Sequence, residues 1–449
     1  MSATGSRLLA LELLNRVSIE NAYANLLMPK LIAQAKLESR DSNFAQELGF
    51  GTIRWQLTYD TIIDSVSSRG VSEIDIVLLN CLRLGTHQIL QMRVPNHAAL
   101  SETVELVRNK CGEKVVGFAN GVLRRVSERS FDEWLELICR GKTRNEVLSL
   151  RYSHPEWIVA ALNQSLAVDG MKDEIENLLT INNIPPAVNL VALPGMQDIE
   201  TPRTEDNANQ FSPYGFSIEN GNPAELNGFG DGIIRVQDEG SQLAALALAS
   251  FGKVQSEEKW LDMCAGPGGK AALLAQISSQ LGAEFTANEI LEHRADLVAA
   301  TLSKLGTFHL TQMDGRLIGE ESPDVFDRIL IDAPCSGLGA LRRRPEARWR
   351  KQPSDLKELT QLQLQLVESG LKALKPGGYL LYVTCSPHLS ETTAIVDKAQ
   401  KQLGAQVLDL TSHMNAAFMK NGLPIGRKTV QLHTQRDNTD SMFMALLTK

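Results

Sequence analysis

RILIDAPCSGLGALRRRPEARWR, residues 328–350, sets a short apolar run against a carboxylate, a thiol and a basic tail. The run Ile329, Leu330, Ile331 has the continuous hydrophobicity of a parallel strand buried on both faces. It ends in Asp332, then Pro334, which stiffens the turn, then Cys335. In an open α/β sheet, ligands gather at the carboxyl ends of the strands, so Asp332 and Cys335 fall where chemistry is expected. The pattern returns at 378–383, where GYLLYV reads as a second strand that delivers Thr384, Cys385, Ser386 and Pro387. Two thiols at two strand ends of one sheet are the central feature.

Working outward, 449 residues exceed what one core organises, so two or three domains are expected. The composition, 43% hydrophobic and 22% charged, is that of a globular protein. Six cysteines stand singly at 81, 111, 139, 264, 335 and 385. None forms a CxxC pair, which disfavours a structural zinc site or a disulfide framework and points to a reducing compartment. No long uncharged apolar segment occurs, so no signal peptide, membrane span or bound metal is expected, and the chain reads as cytoplasmic. A formal net charge of −8 disfavours bulk attraction to nucleic acid but leaves room for local basic patches. Nothing calls for more than a monomer.

Residues 1–140 read as helical throughout, with apolar residues at helical spacing in Leu8, Leu9, Leu11, Leu13 and Leu14, and again in Ala45, Leu48 and Ile53. Within them RVPNHAALSETV at 93–104 and FANGVLR at 118–124 resemble the RNA-binding NusB fold. Residues 141–235 read as a small α/β module of RNA-binding type with long connections, including the loop-rich stretch 205–227. From 236 to 449, alternating strand and helix patterns predict a doubly wound, Rossmann-like domain.

That last domain opens on a strand at 259–263, followed by Cys264, Ala265, Gly266, Pro267, Gly268, Gly269 and Lys270. A glycine-rich turn between first strand and helix lets backbone approach a ligand closely. A phosphate-binding P-loop would need a glycine where Cys264 stands and Ser or Thr where Ala271 stands, so an NTPase is rejected. The next strand ends in Asn288 and Glu289, suited to ribose hydroxyls, and the third leads to Asp314, suited to an adenine amino group. Together they describe an adenosyl ligand without a phosphate cradle, for which S-adenosylmethionine fits better than a dinucleotide.

With DAPC at 332–335, TCS at 384–386 and QDEGSQ at 237–242, the chain resembles the RsmB/NOP/Sun family of RNA cytosine-5 methyltransferases, closest to its RsmB type with a NusB-like front end. The resemblance implies an α/β multidomain fold and methylation of cytosine in 16S ribosomal RNA of the small subunit. It implies Cys385 as the nucleophile that adds to carbon 6, and Cys335 as the group that resolves the adduct. Asp332 would hold the cytosine edge, and also border the cofactor, with Lys270 tuning the pocket. Ala271 replaces a usual threonine. Arg342, Arg343, Arg344, Arg348 and Arg350 around Trp349 suggest a phosphate-binding and stacking surface for RNA. A base inside a duplex cannot reach two thiols, so the target must be unpaired or flipped. The competing readings are a transfer-RNA cytosine-5 methyltransferase and a NusB-like assembly or antitermination factor with an inactive methyltransferase half.

Overall fold

The computed structural model describes residues 3–195, 202–218, 221–306, 308–420, 422–424 and 426–449. Glu219 and Asn220, within the loop-rich stretch 205–227, lie outside the described residues. The chain divides into two compact units. One comprises Met1–Asn163, Leu179–Ile184 and Leu341–Lys351, and the other Gln164–Leu178, Pro185–Ala340 and Gln352–Lys449.

The first unit is helical: α1 (Ala3–Ile19), α2 (Ala24–Ala35), α3 (Ser39–Arg54), α4 (Gln56–Val66), α5 (Ile76–Leu90), α6 (Asn96–Cys111), α7 (Val116–Val126), α8 (Phe131–Ile138) and α9 (Arg144–Tyr152). Local chemistry marks the ends. The Asp75 carboxylate accepts the Val77 and Leu78 N–H groups at the start of α5, and Ser130–Glu133 and Thr143–Glu146 form capping boxes on α8 and α9. One apolar core, with Leu13, Leu48, Tyr59, Leu82, Leu123 and Trp134 all but fully buried, ties the helices together.

Helical structure does not stop at 140. It continues through α10 (Glu156–Val168) and α11 (Ile175–Ile181), because the Thr143 capping box restarts the helix just past the expected boundary. The module expected at 141–235 is therefore helical first. Only its latter part is a sheet, made of β1 (Val188–Ala192), β2 (Gly215–Ile218) and β3 (Ile234–Val236) in the antiparallel order β2-β1-β3, and it belongs to the second unit.

The second unit is built on an eight-stranded sheet. Chain order runs α12 (Glu239–Ser250), β4 (Lys259–Asp262), α13 (Gly269–Gln280), β5 (Glu284–Asn288), α14 (Glu292–Leu302), β6 (His309–Thr311), α15 (Ile318–Glu321) and β7 (Phe326–Asp332). After α16 (Ala347–Arg350), which belongs to the helical unit, come α17 (Asp355–Ala373), β8 (Leu374–Thr384), α18 (Thr393–Leu403), β9 (Gln406–Val407), β10 (Val430–Gln431) and β11 (Phe443–Thr448). The spatial order is β10-β11-β8-β7-β4-β5-β6, with β9 also on β11. Strands β6, β5, β4, β7 and β8 are parallel and β11 is antiparallel. Leu330, Leu381 and Val383 enter one core with α12 and α13, while Ile329, Ile331, Leu380 and Tyr382 enter another with α17 and α18. Alternate residues thus feed opposite faces, which is why these strands read as unbroken apolar runs.

The basic segment after Cys335 departs from its expected role. Leu341–Lys351 is part of the helical unit. The fully buried Arg348 donates to the carbonyls of Arg54, Ser153 and Asn182 and to Asn183 Oδ1, at 2.8–3.1 Å. Trp349 gives its indole N–H to the Ile53 carbonyl at 2.8 Å, and Arg350 bonds the Ala22 carbonyl and stacks on Tyr23. Arg342 is buried as well, and its carbonyl accepts from Arg54 at 3.2 Å. The side chains of Arg348, Trp349 and Arg350 are framework of the helical unit, not an exposed RNA surface, because they bond acceptors within it, and Arg342 is buried in it. Arg343 is half-buried and Arg344 exposed. Arg348→Met, which strands four acceptors, should lower stability by on the order of 3 kcal/mol in urea unfolding. Arg344→Ala should leave the midpoint where it is.

Candidate active site

The strand order reverses between β4 and β7, and the carboxyl ends of these two strands and their neighbours carry the expected residues. In the β7–β8 ladder Asp332 lies opposite Val383. The chain beyond each strand therefore leaves from adjacent positions. The Ala333 N–H donates to the Val383 carbonyl at 2.9 Å, and the Gly339 N–H donates to the Cys385 carbonyl at 2.9 Å. A Cβ on Gly339 would stand 2.0 Å from the Ser441 carbonyl oxygen, so only glycine lets the 335–340 loop fold down onto Cys385. The outcome is a sulfur–sulfur distance of 3.3 Å between Cys335 and Cys385, both partly accessible.

Cys335 is held well above the usual thiol range, first by its hydrogen bond to Cys385, then by burial and by the charges of Cys385, Glu391 and Asp332. A thiol raised in this way keeps its proton. Lys270, in the first turn of α13, reaches Asp332 Oδ2 at 2.8 Å and Ser241 Oγ at 3.2 Å. Burial alone would lower its ammonium pKa, but the negative charges of Asp332, Cys385 and Asp262 outweigh it and the net shift is upward. The site therefore contains a fixed cation beside one carboxylate and one sulfur. Ser241 belongs to the segment 237–242, whose contribution is now explicit. Asp238 caps α12 through the Gly240 N–H, and Glu239 accepts the N–H groups of Phe211 and Ser212.

The glycine turn joins β4 to α13. Ala265 N–H pairs with the Asn288 carbonyl, and Gly266 N–H donates to Glu289 Oε2 at 3.1 Å. A Cβ on Gly266 would lie 2.2 Å from that same oxygen. Gly268 has φ of +109°, accessible without strain only to glycine. Asn288 braces three segments by bonding the Met263 carbonyl and both backbone groups of Met313. Glu289 accepts from Gly266 and Leu291 and faces Arg294, while Asp314 is gripped by Arg316. Pro267 is exposed, and Cys264, half-buried, has its thiol raised by burial and by Asp262, so it stays protonated. The structure thus brings Cys385, Cys335, Asp332 and Lys270 together, and sets 264–270, Glu289 and Asp314 along neighbouring strand ends. Sequence reasoning missed two carboxylates: Asp262 at the end of β4, and Glu391, whose only hint is a serine after each site cysteine.

Asp262 is fully buried, with its carboxyl pushed up to about 7 by burial and then by the Asp332 charge. A carboxyl that binds its proton more tightly folded than unfolded contributes stability fully present below its ordinary 3.8. That contribution is lost as pH rises through about 7. Asp262→Asn should therefore flatten the fall in Tm between these limits, as read by thermal melts across the range.

Comparison with known proteins agrees with this geometry. The family model described as 16S rRNA methyltransferase RsmB/F matches residues 249–448, and the NusB family model matches 4–128. A putative methyltransferase of Mycobacterium tuberculosis is 41% identical over 98% of this chain and 96% of its own. The probable ribosomal RNA small subunit methyltransferase B of Bacillus subtilis is 30% identical over 88% of each. The crystal structure of PH0851 covers 100% of this chain and 99% of its own at TM-score 0.80 and 21% identity, a likeness of fold. The chain belongs to the RsmB/F family of 16S rRNA methyltransferases, and as such is an S-adenosylmethionine-dependent RNA methyltransferase.

Proposed function

We propose that the protein forms 5-methylcytosine in small-subunit ribosomal RNA, with Cys385 as the covalent nucleophile. The observation that carries this is the thiol pair at 3.3 Å beside the Lys270–Asp332 ion pair. Carbon 5 of cytosine is a weak nucleophile. Addition of a thiolate at carbon 6 makes the ring an enamine whose carbon 5 is electron-rich.

The cofactor region suits S-adenosylmethionine. Its glycine turn allows close backbone approach, and its acidic strand ends offer acceptors for an adenosine. Residues 264–270, Glu289 and Asp314 would hold the cofactor, which supplies an electrophilic methyl on a sulfonium. Everything else falls to the chain. With the Cys335 thiol donating across the 3.3 Å contact and Lys270 adding positive charge, both groups would favour the Cys385 thiolate. Asp332, oriented by Lys270, accepts from the cytosine edge.

Cys385 sulfur bonds to carbon 6, carbon 5 takes the methyl, and the carbon-5 proton must then leave as the sulfur–carbon bond breaks. Cys335 is suited to that last step. The first cause of its high pKa is the Cys385 sulfur. Once that sulfur is a neutral thioether, its share of the restraint is lifted, leaving burial and the charges of Glu391 and Asp332; Cys335 can then release its thiol proton to water and take the carbon-5 proton as the sulfur–carbon bond breaks. Six free cysteines, and no helix among the described residues long and apolar enough to cross a membrane, fit work in the reducing cytoplasm.

The test uses labelled S-adenosylmethionine with unmodified small-subunit rRNA and, separately, transfer RNA. Wild type should label one cytosine in the rRNA, and Cys385→Ala should label none. Cys335→Ala should accumulate a denaturant-resistant protein–RNA adduct. Full activity in Cys385→Ala would overturn the nucleophile, label only in transfer RNA would overturn the substrate, and no label in any RNA would favour a binding factor.

A further inference from the structure

Glu391 is fully buried and spends its carboxylate on neutral donors. Its Oε1 accepts the Ser336 N–H at 2.8 Å and the Gln363 amide at 3.1 Å. Its Oε2 accepts the Ser336 hydroxyl at 2.5 Å and the Ser386 hydroxyl at 2.7 Å, and the two hydroxyls lie 3.0 Å apart. Ser336 directly follows Cys335 and Ser386 directly follows Cys385. The clamp extends outward. Gln363 also donates to the Pro334 carbonyl at 2.9 Å, and the Tyr382 hydroxyl donates to Glu391's own carbonyl at 2.7 Å.

We propose that Glu391 is a positioning residue: one buried carboxylate ties together the two loops that carry the thiols and sets the distance between the sulfurs. A buried carboxylate needs its acceptor sites filled. Both serines must therefore converge on it, and each brings the neighbouring cysteine along. Glu391 touches neither the glycine turn nor Glu289 nor Asp314, so its role is confined to thiol geometry. Its catalytic consequence rests on the thiol mechanism proposed above.

Two readouts separate the proposal from that mechanism. The first needs neither RNA nor cofactor. Diamide takes two hydrogens from a close thiol pair, becoming the hydrazine as the disulfide forms, and the Cys335–Cys385 crosslink is quantified by peptide mass spectrometry. Wild type should crosslink readily, and Glu391→Ala should do so roughly 10-fold less, with Glu391→Gln, which keeps the shape and most hydrogen bonds, recovering most of it. The second is the methylation assay. Glu391→Ala should lower kcat on the order of 10²-fold, as small misplacements of reacting groups do. Its KM for S-adenosylmethionine should be unchanged, and Glu391→Gln should restore much of the rate.

A wild-type crosslink yield in Glu391→Ala overturns the proposal whatever the activity, and so does a loss not rescued by glutamine. If Glu391→Ala does not fold, the Ser336→Ala/Ser386→Ala double variant decides: an undiminished crosslink overturns the proposal and a diminished one supports it. An active Cys385→Ala protein would sink the thiol mechanism and leave the crosslink result standing.

Discussion

Asp332 lies opposite Val383 in a parallel ladder, and that register is enforced from both faces of the sheet at once. A slip of one residue would turn Ile329 and Ile331 into the core now occupied by Leu330, and Leu381 and Val383 into the core of Leu380 and Tyr382. No such slip is compatible with two filled cores. The loops beyond the strands therefore begin from fixed points. Everything chemical in the site, from the sulfur contact to the Lys270–Asp332 pair, is measured from that ladder.

The same sheet concentrates negative charge. Asp262, Asp332 and Glu289 end neighbouring strands, and burial together with the charges of the other two raises the Asp262 carboxyl, while Lys270 is the cation set directly against Asp332. This crowding acts on Cys335 as well as on Asp262. Cys335 faces Glu391, Asp332 and the sulfur of Cys385, and so keeps its proton. Lys270 responds to Cys385.

Much of this was legible in the sequence because it follows from local pattern. Apolar runs gave the strands, glycines the turn, and the strand ends with the turns that follow them pointed to Asp332, Cys335, Cys385 and Glu289. What escaped was set by contacts distant along the chain. RRRPEARWR reads as a phosphate-binding surface for RNA, since nothing nearby reveals that Arg348 meets acceptors at positions 54, 153, 182 and 183. Glu391 sits in LSETT, a stretch with no motif, and its importance appears only when Ser336 and Ser386 are brought to it. The end of the helical unit was hidden by a capping box, whose signal marks a helix start but not which core the helix joins.

The helical unit is discontinuous in the chain, and residues 341–351 supply Arg348 and Trp349 to its interior. Synthesis proceeds from the N-terminus, so when α1 through α9 have emerged from the ribosome the unit still lacks its last interior pieces. Arg348 and Trp349 can enter that interior only after β4 through β7 have been made. The last pieces of that interior therefore arrive when more than three-quarters of the chain has been translated.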